Sequence, residues 1–332
     1  MLGNILKNIL KKKNIIIYSP SFKNNNEEIF KQVSSQSIIC IPVYTENPNF
    51  FLIKQIVLKI EKINFDYLIA IGGGKTIDTA KILKYLLAIK KIKKKLFAIP
   101  TIYGSGTEIT SSAVYYVNKK KYSVESNYIK PNKIINILKL SIRAPKFLVD
   151  ISAMDCLCQS IESIWSLKAN NKSLKLAEKS LKLSYNFLCN KRITSKKSQQ
   201  KNIILASKLA GLAMNITRTT APHALSYALT SFQNIPHGQA VCLVMKILLK
   251  KNLNKIKKEK KIKIFLKIFK AKSIDAINSK FLNLVNSLNL NLELNLNKTD
   301  IQKYVNQVNI DRLANNPLNL RKNDIMDIYN KL

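Results

Sequence analysis

His223 and His237 are the only imidazoles in a chain of 332 residues. Each follows a proline, in "APHALSYALT" and "IPHGQAVCLVM", and each precedes apolar residues at helical spacing. Proline at the first helical position is a common opener, so both rings are expected in the first turns of two helices, 14 positions apart in the chain. Two imidazole nitrogens need further donors to hold an ion. "MDCLCQSIES" offers Asp155 and Gln159 at i and i+4, on one face of a helix. A carboxylate oxygen with two imidazole nitrogens suits Fe2+ or Zn2+, leaving a coordination position for a carbonyl or alkoxide oxygen. Without an ion, the same residues are two unrelated helix starts and a buried capping or ion-paired acid.

A second group of residues points to phosphate chemistry. "IAIGGGKTIDTAK" places Gly72, Gly73 and Gly74 between an apolar strand and a helix, and "PTIYGSGTE" repeats a small-residue turn with Gly104 and Gly106. Five of the eight glycines fall in these two turns, which are therefore expected to need positive φ or close backbone approach. Exposed N–H groups at such a turn and the helix N-terminus behind it can hold a pyrophosphate. The first turn is neither G-x-G-x-x-G nor a Walker A loop, and it also reads as a plain tight turn. Two such turns at the carboxyl ends of adjacent strands would line one crevice, the place where open α/β sheets bind ligands.

The elements that must position these groups follow from periodicity. "NIIIYS" (14–19) and "SIICIPVYT" (37–45) read as strands, 53–63 as a helix, and 66–89 as strand, turn and helix. Residues 95–108 read as strand and turn, and "SAVYYV" and "NKIINIL" (132–138) as further strands. Strands alternating with helices imply a largely parallel α/β layer. From about Leu140 the pattern turns helical, over 148–166, 173–188 and 200–217, and stays so to the end, with 288–298 a loop or weak helix. The expected organisation is an α/β dinucleotide-binding domain over 1–140 and an all-helical metal-binding and substrate domain over 141–332.

Composition sets bounds. Lys+Arg number 56 against 19 Asp+Glu, a formal charge of +37, and 46% of residues are hydrophobic, enough for a real core. The lysines are dispersed among Asn and Ile, and no zinc finger, RNA-binding aromatic motif or helix-turn-helix accompanies them. A compositional bias toward Lys, Asn and Ile explains the charge better than a specific nucleic-acid partner, although the field favours anionic ligands. Five cysteines with no framework spacing indicate free thiols in a reducing compartment. No apolar run reaches the roughly 18–20 residues of a membrane span, and lysines following a short apolar start are in the wrong order for a signal peptide. A cytoplasmic protein is expected.

Together these segments resemble the iron-containing (group III) alcohol dehydrogenases. "GGGKTIDTAK" is similar to that family's GGGSxxDxAK, "PTIYGSGTE" to PTTxGTGSE, "DCLCQSIES" to DALTHAIEA, and "PHALSY…IPHGQA" to its two-histidine segment, in family order. Glutamine at the first metal-histidine position, the tryptophan of "ESIWS", and "VNIDRLANNPLNL" look like a phosphonoacetaldehyde reductase subgroup. The resemblance implies the dehydroquinate synthase-like, group III alcohol dehydrogenase fold. It implies metal ligands Asp155, His223 and His237 with Gln159 as a weak or absent fourth, and pyrophosphate on Gly72, Gly73 and Gly74. It further implies that Asp78 anchors the helix, that Thr101, Ile102, Ser105 and Thr110 line the cofactor cleft, and that Lys121 reaches the ribose. Lys75 and Ile102 replace the family's serine and threonine, and Lys75 can pair with phosphate.

The implied activity is reduction of an aldehyde by NAD(P)H, with phosphonoacetaldehyde giving 2-hydroxyethylphosphonate. The first βα turn, "YSPSFKNNN", has no acid for a ribose 2′-hydroxyl and contains Lys23, which favours NADPH. Arg218 is the candidate partner of an anionic substrate; a surface arginine is the alternative. The expected partners are a small anionic aldehyde and a second copy of the chain, with no membrane. Rival readings are a plain short-chain alcohol or lactaldehyde dehydrogenase, a sugar-phosphate cyclase on the same fold, and a catalytically decayed basic binding protein.

Overall fold

The computed structural model describes residues 8–45, 47–189, 196–257 and 259–332. Gly3 lies outside them. The chain divides into two compact units, Met1–Pro145 and Lys146–Leu332.

The first unit is built on runs of β-branched residues. β1 (Asn14–Tyr18), β2 (Ile39–Pro42), β3 (Tyr67–Gly72), β4 (Lys95–Pro100) and the two-residue β7 (Lys133–Ile134) form one sheet in the order β2-β1-β3-β4-β7. Every pairing in it is parallel. β1 is buried along its whole length, and β3 and β4 are buried after their first residue. Such continuous apolar runs are what a parallel sheet covered on both faces requires. Helix Gly74–Ile89 contributes Ile77, Ala80, Leu83 and Leu87 to the core shared with Ile15, Leu68, Ala70 and Ala98. The register pairs Gly72 with Pro100, so the two glycine turns leave the sheet side by side. Thr101 N–H donates to Gly72 O at 3.1 Å across that exit.

"SAVYYV" forms β5 (Ser112–Val117), which is not part of the parallel layer. It pairs antiparallel with β6 (Lys120–Glu125), a strand that periodicity does not announce. "NKIINIL" yields only the short β7, beyond which Leu138–Ile142 is helical.

The second unit is helical. Helices Lys146–Trp165, Asn171–Cys189 and Lys196–Thr217 are followed by Ala221–Phe232 and His237–Lys255 and then, among the described residues, by five more, the longest Ile274–Ser287. One core gathers Leu157, Ile161, Trp165, Leu181, Ala206, Met245 and Phe281. Another gathers Leu225, Leu229, Val244, Tyr304 and Tyr329 around the helices that start at Ala221 and His237. Residues 291–297 form no regular element. The cysteines Cys40, Cys156, Cys158, Cys189 and Cys242 are free thiols. Among the described residues no helix is long and apolar enough to cross a membrane.

Candidate metal centre and dinucleotide cradle

In the helical unit, Asp155, His223 and His237 offer ligand atoms that all lie within 4.8 Å of one another. Three helices supply them: Asp155 from mid-helix in Lys146–Trp165, His223 from the first turn of Ala221–Phe232, and His237 as the first residue of His237–Lys255. Pro222 sits inside the first turn before His223, whereas Pro236 is itself the N-cap before His237. In the second case the proline therefore stands one place earlier than an opener at the first helical position. The rings of His223 and His237 are edge-to-face, 5.4 Å between centroids, and Tyr227 lies against His237 at 6.0 Å.

His223 is held between two acids. Its Nε2 lies 3.1 Å from Asp155 Oδ1, and its Nδ1 is bonded to Glu162 Oε2. Burial opposes charge on this ring, but the Glu162 and Asp155 carboxylates outweigh it and push its pKa up to about 9. A cation arriving at Nε2 must therefore displace a proton. Gln159 is buried one turn beyond Asp155 and donates from Nε2 to Asp155 Oδ2 at 3.0 Å. The glutamine thus orients the carboxylate. One buried acid, Asp155, and two imidazoles are the oxygen and nitrogen donors that a divalent cation takes. The residues present fit the metal.

Glu162 and Gly238 belong to this centre and were not singled out by the sequence. Asp155, Gln159 and Glu162 stand at i, i+4 and i+7, one helical stripe, and that spacing was the available signal. At Gly238 a Cβ would lie 2.1 Å from Ile151 O and 3.2 Å from Asp155 Cβ. Only glycine lets the helix beginning at His237 approach the Asp155 helix so closely.

In the α/β unit the glycine turn opens helix Gly74–Ile89, whose N-cap, Gly73, gives no side-chain cap and whose first turn has no acid. None of Gly72, Gly73 and Gly74 has positive φ; among the described glycines only Gly106 does, at 64°. The need at the first turn is close approach. A Cβ on Gly72 would meet Thr76 Oγ1 at 2.5 Å, and one on Gly74 would meet Ser105 Oγ at 2.9 Å. A Cβ on Gly73 would meet nothing within 4 Å, so open space lies beside a helix N-terminus whose N-cap residue offers no side-chain cap. That is where a phosphate fits.

The residues expected around this cradle are drawn together by hydrogen bonds. Asp78 accepts from Thr107 Oγ1 and, at 3.2 Å, from Val114 N–H. Burial raises its pKa, with Lys81 opposing. Lys121, on β6, adds a smaller opposing field on Asp78. Thr110 Oγ1 accepts from Lys81 Nζ at 3.1 Å, and Thr101 is buried at the strand exit. Ile102 is half-buried beside it and Lys75 is exposed on the first helical turn. Lys81 was not anticipated. Its side chain is fully buried and its ammonium also donates to Ser112 O at 2.7 Å. Arg218 has φ 60° and its N–H caps Met214 O at 2.9 Å, the left-handed residue closing helix Lys196–Thr217.

Family models match both units: the iron-containing alcohol dehydrogenase model over residues 1–136, and the C-terminal model of the same family over 150–332. The chain belongs to the iron-containing alcohol dehydrogenase family. Among its relatives, a 4-hydroxybutyrate dehydrogenase of Clostridium kluyveri is 27% identical over 311 residues, covering 86% of this chain and 83% of the relative. An alcohol dehydrogenase of Thermococcus barophilus is 28% identical over 211 residues, covering 58% of this chain and only 55% of that enzyme's length. A solved sulfoacetaldehyde reductase from Bifidobacterium kashiwanohense, in complex with NAD+, superposes with a TM-score of 0.86 at 22% identity, covering 99% of this chain and 93% of that one. An iron-containing alcohol dehydrogenase from Thermotoga maritima gives 0.83 at 23% identity, with 98% and 93% covered. At such identities these structures show the fold, an α/β unit with a parallel sheet followed by a helical unit.

Proposed function

We propose that this chain is a divalent-metal-dependent, nicotinamide-linked aldehyde reductase whose substrate is a short aldehyde with an anionic tail, phosphonoacetaldehyde giving 2-hydroxyethylphosphonate. The observation that carries this reading is the convergence of Asp155, His223 and His237 on one point of the helical unit. The bound ion, Fe2+ or Zn2+, supplies Lewis-acid polarisation of the carbonyl, and the reduced nicotinamide supplies the hydride. The chain's own residues do the rest. Asp155, His223 and His237 hold the ion, and Gln159 fixes the rotation of Asp155 and supplies a neutral amide as a weak fourth donor. Gly73 and the N-terminus of the helix behind it receive the pyrophosphate, while Asp78, Lys81, Thr107 and Thr110 lock the two turns together. Hydride and proton together convert C=O to CH–OH. The chain has no third histidine to relay that proton, so it comes from water or a ribose hydroxyl. NADPH is the proposed cofactor, because the segment after β1, Ser19 and the short helix Pro20–Asn25, carries Lys23 and no acid.

The anionic tail rests on the charge of +37 and on Arg218. A second reading keeps the chemistry and changes the tail. The Clostridium kluyveri relative is named for 4-hydroxybutyrate, a short alcohol bearing a carboxylate. A panel of phosphono-, sulfo-, carboxy- and unsubstituted short aldehydes, run with NADH and NADPH on chelator-stripped protein reloaded with Fe2+ or Zn2+, decides among them. Metal-dependent oxidation of the nicotinamide, fastest with phosphonoacetaldehyde, is expected. Arg218→Asn, which tolerates the left-handed backbone, should lose at least about tenfold on the phosphonate and little on acetaldehyde, about 1.4 kcal/mol of selective binding. No turnover with any aldehyde in either metal form would refute the proposal.

A further inference from the structure

We propose that Glu162 is a positioning residue that decides which ring nitrogen of His223 is offered to the metal. The inference rests on the metal-centre reading above and adds to it a residue that touches neither ion nor substrate.

The geometry is that of a fully satisfied carboxylate. Glu162 is wholly buried on the same stripe as Asp155 and Gln159. Its Oε1 accepts from Thr220 N–H at 2.9 Å, from the Thr220 hydroxyl at 2.9 Å and from His223 N–H at 3.4 Å. Its Oε2 faces His223 Nδ1. Trp165 Nε1 donates to the Thr220 hydroxyl at 2.9 Å and so directs that hydroxyl's own hydrogen to Glu162. Thr220, the N-cap of the His223 helix, caps no N–H with its side chain; Glu162 does that work from the neighbouring helix. Oε1 accepts from three donors, and a carboxylate held in this way accepts through Oε2 as well, which places the hydrogen on Nδ1. Nε2, the nitrogen facing Asp155, is then the one whose lone pair a metal can take. Carboxylates that orient metal-bound imidazoles in this way alter metal affinity by about 10–100-fold when replaced.

Glu162→Gln separates this role from simple capping. The amide is isosteric, and its oxygen will occupy the Oε1 position, where three donors converge. Its NH2 then faces His223 Nδ1, which must accept. The ring hydrogen moves to Nε2 and closes the ligand position. A residue that merely caps the helix would be served equally well by the amide.

The test is competitive Co2+ binding, read from the visible absorption of the ion, on chelator-stripped wild type, Glu162→Gln and His237→Ala, with thermal unfolding of each stripped protein as the folding control. The expected result is a Glu162→Gln protein that unfolds within a few degrees of wild type, binds Co2+ at least about tenfold more weakly and shows an altered cobalt spectrum. Affinity within about twofold of wild type, with His237→Ala defective, overturns the role of Glu162 and leaves the metal centre standing. Wild-type affinity in His237→Ala overturns the metal centre and this inference with it. If Glu162→Gln does not fold, the 15N imidazole spectrum of Zn2+-loaded wild type decides, because the chain has only two histidines. Hydrogen on His223 Nδ1 with zinc on Nε2 supports the inference; the reverse arrangement overturns it.

Discussion

Beside His237, a hydrogen stands where any other residue would place a Cβ 2.1 Å from Ile151 O and 3.2 Å from Asp155 Cβ. Backbone carbonyls do not yield as flexible side chains do, so Gly238→Ala must push the two helices apart. We expect a cost of about 1–3 kcal/mol, as for an overpacked core, together with weakened Co2+ binding, because the displacement separates His237 from Asp155. Gly73 is the contrasting case. A Cβ there meets nothing within 4 Å, at a φ of −80° that alanine adopts freely. Gly73→Ala should unfold at the wild-type temperature and raise KM for the nicotinamide, since the methyl fills the space proposed for phosphate. Equal thermal midpoints for wild type and Gly238→Ala would contradict the first expectation, and an unchanged KM in Gly73→Ala the second. At this scale the sequence revealed donors more readily than supports. Two histidines in twin proline contexts and an acid at helical spacing were visible. Glu162 lay on the same stripe, but a buried glutamate on an apolar helix carries no mark of its partner until the helices pack. Gly238 was visible as a glycine after a histidine, and its reason is a contact with Ile151, 87 positions earlier.

Lys81 shows how an element is tied to its neighbours. Its ammonium, buried in helix Gly74–Ile89, donates to Thr107, Thr110 and the Ser112 carbonyl, joining the helix to the second glycine turn and to β5. Burial lowers its pKa to about 8, with Asp78 and Glu108 opposing. Between about pH 8 and the ordinary lysine value near 10.4, the unfolded chain holds a proton that the folded chain does not, so this group's contribution to stability rises with pH across that window. Lys81→Met should be destabilised overall and should lack that rise. Chemical denaturation of both proteins from pH 7 to 10.5 reads the difference, and parallel stability curves would contradict it. The elements differed in legibility for a physical reason. β1, β3 and β4 are covered on both faces and appear as unbroken apolar runs. β6, "KKYSVE", is exposed or half-buried throughout and carries the polar residues of a loop. Its hairpin turns on Asn118 and Lys119, both at positive φ, where the second residue is not the glycine that usually signals such a turn.

The whole molecule carries two candidate centres in one chain: a helix N-terminus with open space for a phosphate in the α/β unit and a cluster of potential metal donors in the helical unit. The sequence changes from strand-rich to helical near Leu140, and the chain's two compact units are Met1–Pro145 and Lys146–Leu332. The family was legible because its motifs carry the backbone and donor constraints themselves. The substrate was less so, because recognition of an anionic tail needs one or two cations, and a chain with 56 Lys and Arg offers many. Its net charge of +37 draws anions toward the surface, but over distances that physiological salt limits to about 8 Å, so selectivity has to come from side chains in the site. The proposed reduction and the role of Glu162 both depend on one ion being shared by Asp155, His223 and His237. Crystals of the protein loaded with Co2+ or Zn2+, with diffraction recorded on both sides of the metal's absorption edge, test that directly. The account predicts a single strong anomalous peak about 2.0–2.2 Å from a carboxylate oxygen of Asp155 and from a ring nitrogen of each histidine. An active, metal-loaded protein whose peak lies away from these three side chains would contradict it.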